Sequence, residues 1–300
     1  SSRSLRKQTL HPDTKACLTA YGNRQIIMIS LKRNSRGEKV EANGLRRESS
    51  RYTPNQSEPF KISRSKFSDF LTCRRCFYLD RVKGLISPSL PGWTLNSTTD
   101  LLLKKEFDLR RAEQSPHRLF EKFDITHVVP FNHLLIDQWR DALRGGLEYR
   151  PDKSNIILHG GVDDLWLNKE TGEIIVVDYK SQANKNPVNT DSYLKSVYHE
   201  TYKTQMDFYV FLMIGMGFRV ADTAYFYVCN ADVHADTFDG KLTFTETLVP
   251  YQWSIEWIPR EIDKMVEVLN TEKLPPINPS CENCAYSQQR ALIEYKATDD

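Results

Sequence analysis

The chain has 300 residues, 40% of them hydrophobic, enough to bury one good core with appendages, and no internal repeat is visible. Its 41 Lys and Arg against 39 Asp and Glu leave a net charge of +2, which supplies no global electrostatic argument for a nucleic-acid partner. No secretory signal and no apolar run long enough to span a membrane is present, so an intracellular, cytoplasmic protein without a membrane partner is expected. Residues 1–60 read as a basic, largely irregular N-terminal region. The tracts SSRSLRK, LKRNSRGEK and NGLRRESSR mix basic with polar residues, Gln25 to Leu31 is the one convincing strand, and Arg51 to Pro59 reads as a linker. Residues 61–300 read as a single α/β domain. Within it SKFSDFLTCRRCFYL carries a first CxxC pair, Asn96 to Thr99 cap a helix running through LLLKKEFDLRR, and Asn132 to Leu143 is predicted as another helix.

The most informative stretch follows, GGVDDLWLNKETGEIIVVDYK from Gly160 to Lys180. Two apolar runs flank a polar turn, and pairing Asp163 opposite Asp178 centres that turn between Glu170 and Thr171, beside Gly172. The continuous β-branched run Ile174 to Val177 suits a central strand buried on both faces. Side chains alternate along a strand, so Asp178 and Lys180 share one face and Tyr179 takes the other. Two carboxylates and an ammonium at the end of such a strand are costly unless paired or bound to metal. A hard divalent cation held by Asp163 and Asp178 supplies the compensation, and Lys180 would stand beside an attacking water. Asp164 is the rival to Asp163 but faces the opposite way in this register. Downstream, a helix is expected over Ser192 to Met216, strands over Thr223 to Asn230 and Lys241 to Val249, and a helix over Ser254 to Leu269.

The hairpin resembles the PD-(D/E)XK nuclease superfamily, and within it the RecB-like exonuclease branch, whose GxxD strand and (D/E)xK strand match Gly160 to Asp163 and Asp178-Tyr179-Lys180. The same branch carries a QxxxY helix, matched by Gln205 and Tyr209 in YKTQMDFY, with Tyr202 on the same helix face. The resemblance implies a restriction-endonuclease-like α/β core, a central mixed sheet flanked by helices. It implies Asp163, Asp178, Lys180, Gln205 and Tyr209 as the catalytic set, with magnesium or manganese as cofactor. It also implies one more acidic ligand from a preceding helix, Asp100 in first place and Glu106 as the alternative. The expected substrate is single- or double-stranded DNA, cut in an exonuclease-like manner during repair, recombination or CRISPR-type processing. A helicase or other nucleic-acid-processing protein is the expected partner. The competing reading is a catalytically inactive module of the same fold that binds DNA or a protein.

Four of the six cysteines form two CxxC pairs, Cys73/Cys76 and Cys281/Cys284, which can offer four thiolates to zinc or to an iron-sulfur cluster. They bracket the hairpin, as does the iron-sulfur staple of AddB-type and CRISPR-associated RecB-like nucleases. Those families commonly place one cysteine before the core and three after it, whereas here Arg290 stands near the last position. An iron-sulfur cluster is the expectation and structural zinc the alternative, in either case a staple joining the N- and C-terminal parts. Cys229 reads as a small buried hydrophobe, and Cys17 has no assigned place. Trp93, Trp139, Trp166, Trp253 and Trp257 could stack on unpaired bases, but most read as core and none is assigned to binding.

Overall fold

The computed structural model describes residues 31–88, 94–152 and 154–296. By proximity along the backbone the chain divides into two units, residues 1–44 with 88–92, and residues 45–87 with 93–300. In the first, the described part of the tract LKRNSRGEK is an exposed turn closed by a bridge between Arg33 and Lys39, with Asn34 Oδ1 accepting from the Arg36 and Glu38 N–H groups. All of the predicted strand Gln25 to Leu31 except Leu31 lies outside the described residues, as do Cys17 and Trp93.

The larger unit holds every strand and helix described below. In chain order they are β1 (Phe60–Ser63), α1 (Arg64–Thr72), α2 (Arg74–Arg81), α3 (Thr94–Glu113), α4 (Arg118–Lys122), β2 (Val128–Pro130), α5 (Ile136–Arg140), β3 (Leu147–Tyr149), β4 (Ile156–Gly160), β5 (Asp164–Asn168) and β6 (Ile174–Gln182). After them come α6 (Thr190–Lys195), α7 (Glu200–Gly215), β7 (Thr223–Ala231), β8 (Phe244–Gln252), α8 (Ile258–Asn270) and α9 (Glu282–Lys296). A five-stranded mixed sheet runs β2-β5-β6-β7-β8, with β6 and β7 parallel and the other neighbours antiparallel; a three-stranded sheet runs β1-β4-β3. Helices flank the sheets, the α/β arrangement anticipated from sequence.

The strand β6 is central because both of its faces are covered. Ile174 and Val176 join a core with Met206 and Phe208 of α7, while Ile175, Val177 and Tyr179 join a second core with Leu103 and Phe107 of α3. A buried Val or Ile contributes about 1.5–3 kcal/mol on leaving water, which fixes the register: a slip of one residue would exchange the two faces. That register decides what each polar residue farther along the strand meets.

Several elements differ from the sequence expectation. The predicted helix from Ser192 to Met216 is α6, a 3-10 turn at Val197–His199, and α7. Ser196 is extended there, and the ring nitrogen Nδ1 of His199 binds the Tyr193 carbonyl that a continuous helix would have used. The predicted helix Asn132 to Leu143 shrinks to α5, because the Asp141 carboxylate accepts from the Leu143 and Arg144 N–H groups and turns the chain. Strand β8 starts at Phe244 rather than Lys241, the Asp239-Gly240 turn with φ of 40° and 68° taking up the residues before it. The stretch Arg51 to Pro59 is packed rather than linking. Tyr52 is buried against Phe60 and its hydroxyl binds Asn270 Oδ1 at 3.0 Å.

Candidate active site

The hairpin has the register that the carboxylate pairing implies. Asp164 lies opposite Val177 and Leu165 opposite Val176, so the next step places Asp163 level with Asp178, and the turn is closed by Gly172 N–H donating to Asn168 O at 2.8 Å. Asp163 stands just before β5, where its Oδ2 accepts from the Tyr179 N–H at 2.8 Å. Asp164 takes the other face. It accepts from Arg111 Nη2 at 2.5 Å, from the Tyr179 hydroxyl at 2.9 Å and from the Leu165 N–H at 2.8 Å.

Asp178 is fully buried. Gln205 Nε2 donates to its Oδ1 at 2.6 Å and lies 3.4 Å from the Tyr209 hydroxyl, so the QxxxY residues of α7 do converge on the β6 carboxylate. The Asp178 Oδ2 is buried without a hydrogen bond, with the Lys180 ammonium as its ion-pair neighbour. That ammonium also sits 4.7 Å from the centre of the Tyr202 ring, a cation-π contact that orients it on the α7 side of the sheet. Gly160 explains how tightly these parts approach. A Cβ there would stand 3.0 Å from the Tyr209 ring and 3.1 Å from the Arg64 Cβ, so the glycine of GxxD lets β4, α1 and α7 meet.

On α3 the two candidate acids separate. Asp100 is near enough to Asp163 for their charges to interact, and Lys104, one turn on, pairs with it at 3.0 Å. Glu106 points elsewhere: its carboxylate is bound by His117 Nε2 and Arg118 Nε, both at 2.8 Å. Asp108 is taken up by Arg140 and Arg111. Sequence reasoning did not find Arg64, Lys104 or Arg140 as neighbours of this site. The helical spacing of Asp100 and Lys104 was a readable signal, whereas Arg64 is brought in by tertiary packing alone.

The electrostatics follow from this crowding. Burial first, and then the charge of Asp178, push the Asp163 carboxyl up to about 7 against the opposing pull of Lys180 and Lys104. Asp100 is raised by burial and by Asp163. Burial works to lower the Lys180 ammonium, but Asp178 and Asp163 outweigh it and hold its pKa above the ordinary value. Such a cluster fits a hard divalent cation. Asp163 and Asp178 offer carboxylate oxygens side by side on neighbouring strands, where a cation would remove the repulsion that adds to burial in raising Asp163.

The cysteines form a second centre. The Sγ atoms of Cys73, Cys76, Cys281 and Cys284 all lie within 4.8 Å of one another, and among the described residues this is the one group of three or more potential ligands so close. Cys76 is 3.6 Å from Cys281 and 3.5 Å from Cys284, and Cys73 is 3.7 Å from Cys284. The extended backbone at Cys73 breaks the helix between α1 and α2 and turns both cysteines to one side. The C-terminal segment is tied to them by Asn278 Nδ2 on the Thr72 carbonyl at 2.8 Å and by Arg75 on the Pro275 carbonyl at 2.7 Å. Burial raises the Cys73 thiol, but the backbone N–H groups of Cys76 and Asn278 bring it down to about 7, whereas burial and the neighbouring thiols push Cys76 up and burial raises Cys284 to about 11, so one thiolate forms readily and the others need a cation to offset their crowding. Cys229 is buried in β7, and Trp139 and Trp166 are core, as expected, with Trp253 and Trp257 packed partly buried against it.

A family model described as the PD-(D/E)XK nuclease superfamily matches residues 99–289, from the first turns of α3 to the middle of α9. None of the curated proteins matches the chain.

Proposed function

The chain belongs to the PD-(D/E)XK nuclease superfamily, whose members are generally metal-dependent hydrolases of nucleic acid, and from that premise we propose that it cuts DNA with magnesium or manganese held by Asp163 and Asp178. The observation that carries this reading is the conjunction at the end of β6: a carboxyl raised to about 7, a second, fully buried carboxylate beside it, and the Lys180 ammonium paired with that carboxylate. Asp100 is the proposed third acidic ligand, and Glu106, engaged by His117 and Arg118, is the weaker candidate. When bound, the cation would polarise the phosphate and ease formation of the attacking hydroxide. Gln205 holds Asp178 in orientation through Oδ1, and Tyr209 backs Gln205. Lys180 Nζ, kept protonated by the two acids, would hydrogen-bond the water and stabilise charge developing on the phosphate oxygens. The water oxygen forms the new P–O bond, the ester P–O bond breaks, and the water proton ends on the departing hydroxyl. Exonuclease-like action of the RecB type, and a helicase partner that supplies unwinding, rest on the motif resemblance.

For the cysteine set the iron-sulfur reading keeps the support of the motif resemblance, but the separations favour a single ion. Four thiolates about 2.3 Å from one tetrahedral zinc stand about 3.8 Å apart, close to the 3.5–3.7 Å seen, whereas an iron-sulfur core places iron and sulfide between its thiolates and spreads them. Its role is structural, pinning the C-terminal segment to α1 and α2.

The inactive-module reading is favoured by one observation, that Asp100 is held by Lys104. Incubating single- and double-stranded DNA with magnesium or manganese decides between them. Wild-type cleavage that falls about a thousandfold or more in Lys180→Ala supports catalysis at this site; equal activity in the variant would exclude it. Elemental analysis of the same preparation, colourless with one zinc or brown with iron, separates the two fillings of the cysteine set.

A further inference from the structure

We propose that Arg64 grips a backbone phosphate of the bound strand beside the one being cut. This deepens the nuclease reading and rests on it. The segment around α1 and α2 is otherwise accounted for by the cysteines, yet its first helical residue lies against Gly160 and Tyr209, the residue that backs Gln205 on Asp178. Gly160 lets it in, with Arg64 Cβ 3.1 Å from where a Gly160 Cβ would be, and the guanidinium sits against the Tyr209 hydroxyl closely enough to act on its ionisation.

What distinguishes Arg64 is its partner. The other cations near the carboxylates each touch an acid: Lys180 pairs with Asp178, Lys104 with Asp100, Arg140 with Asp108 and Asp137, and Arg111 with Asp164. Around Asp80 the same holds for Arg46, Lys66 and Arg81. Arg64 is half-buried and, among the described residues, no carboxylate is paired with it; its neighbour is a neutral phenol. A guanidinium that is partly desolvated, uncompensated by the protein and oriented by a hydroxyl is complementary to a planar pair of phosphate oxygens. Its position beside Tyr209, which itself backs Gln205 on Asp178, places that anion next to the proposed scissile group rather than at a remote surface. The contact therefore contributes to holding the strand, and to the chemical step only through placement.

The test uses the full chain with calcium in place of magnesium, so that binding is read without cutting, and a short labelled DNA strand as probe. Arg64→Ala should weaken binding about tenfold or more and reduce the slope of log Kd against log salt by about one unit, because one phosphate contact is lost. Arg64→Lys should keep most of the salt slope while losing part of the affinity, since it keeps the charge but not the fork. In magnesium, KM should rise with kcat nearly unchanged, and the melting temperature should stay with the wild type. Strands ending in a 5′-phosphate or a 5′-hydroxyl separate two sources of the same chemistry: a loss confined to the phosphorylated strand assigns Arg64 to the chain end, and an equal loss assigns it to an internal diester. An unchanged salt slope in Arg64→Ala overturns the proposal even where kcat falls, because the arginine would then act only through Tyr209. A wild type that neither binds nor cuts nucleic acid overturns the nuclease reading, and this inference with it; a wild type that cuts alongside an Arg64→Ala of equal affinity overturns this inference alone.

Discussion

Asp163 and Asp164 are consecutive in sequence and end on opposite faces of one sheet, where their surroundings differ in kind. On the α3 face, Asp164 is enclosed by Arg111, the Tyr179 hydroxyl and its own chain, and the neighbouring polar groups are likewise matched: Glu106 with His117 and Arg118, Glu246 with Arg118 and the Tyr227 hydroxyl. On the α7 face, Asp163 has one backbone N–H, Asp178 has Gln205 and the Lys180 ammonium, and Arg64 has a phenol where an acid would neutralise it. The first face spends its charges on holding the fold. The second holds two adjoining carboxylates whose repulsion a proton on Asp163 or a bound cation would relieve, and the proposed active site rests on this imbalance more than on the presence of acids.

The sharpest way to break the comparison is to unpair the satisfied face. Arg111 and Asp164 are both nearly inaccessible to solvent, so Arg111→Ala strands a buried carboxylate and should lower the unfolding free energy by about 3–5 kcal/mol in urea titration. Asp164→Asn in the same background should recover a large part of that loss, since the two residues are coupled. Cleavage by the folded fraction should persist. A variant that kept its stability but lost kcat would place Asp164 in the chemistry and dissolve the distinction between the faces.

A smaller effect probes the packing of the working face. In Gly160→Ala the new methyl meets the Tyr209 ring at 3.0 Å and Arg64 at 3.1 Å, and the expected cost is about 1–3 kcal/mol of stability with a fall in activity larger than the loss of fold accounts for. Activity that merely tracks the folded fraction would mean that Tyr209 and Arg64 shift without consequence for cutting.

The two faces were not equally legible in the sequence. Alternation along β6 and the constant pairing of a hairpin were enough to put Asp163 with Asp178 and to turn Asp164 away, because a buried β-branched run allows one register. The spacing of Gln205 and Tyr209 reported the α7 side by the periodicity of a helix, and the paired cysteine spacing reported the cluster of four thiols. What periodicity does not encode is what comes from elsewhere in the chain. The pairing of Arg111 with Asp164 and the nearness of Arg64 to Tyr209 both depend on how helices settle on the sheets. The break between α6 and α7 escaped because it is made by His199 binding the Tyr193 carbonyl, a local competition that propensity averages away. Glu106 stood second to Asp100 as a ligand and could not be set aside from sequence for a similar reason, since only the position of His117 and Arg118 shows how its carboxylate is engaged.

The mildest prediction sharpens the comparison through protons. Asp163 is raised from 3.8 to about 7, so without metal the folded chain keeps a proton that the unfolded chain releases near 4. That contribution to stability is complete below about 4 and is lost as pH rises through about 7. A cation must displace the same proton, so its affinity should fall about tenfold, or about 1.4 kcal/mol, for each pH unit below 7, and level off above it. Calorimetric titration with magnesium or manganese in buffers of different ionisation enthalpy reads both the affinity and the released proton. Saturating cation should invert the sign of the stability profile, because the bound form now favours the ionised carboxylate and gains stability as pH rises. Asp163→Asn should flatten both profiles between 5 and 8, while Asp164→Asn, whose carboxylate is already matched by Arg111, should leave them in place. Proton release that survives Asp163→Asn would assign the titration to Asp100, the other raised carboxyl, and would move the cation toward α3.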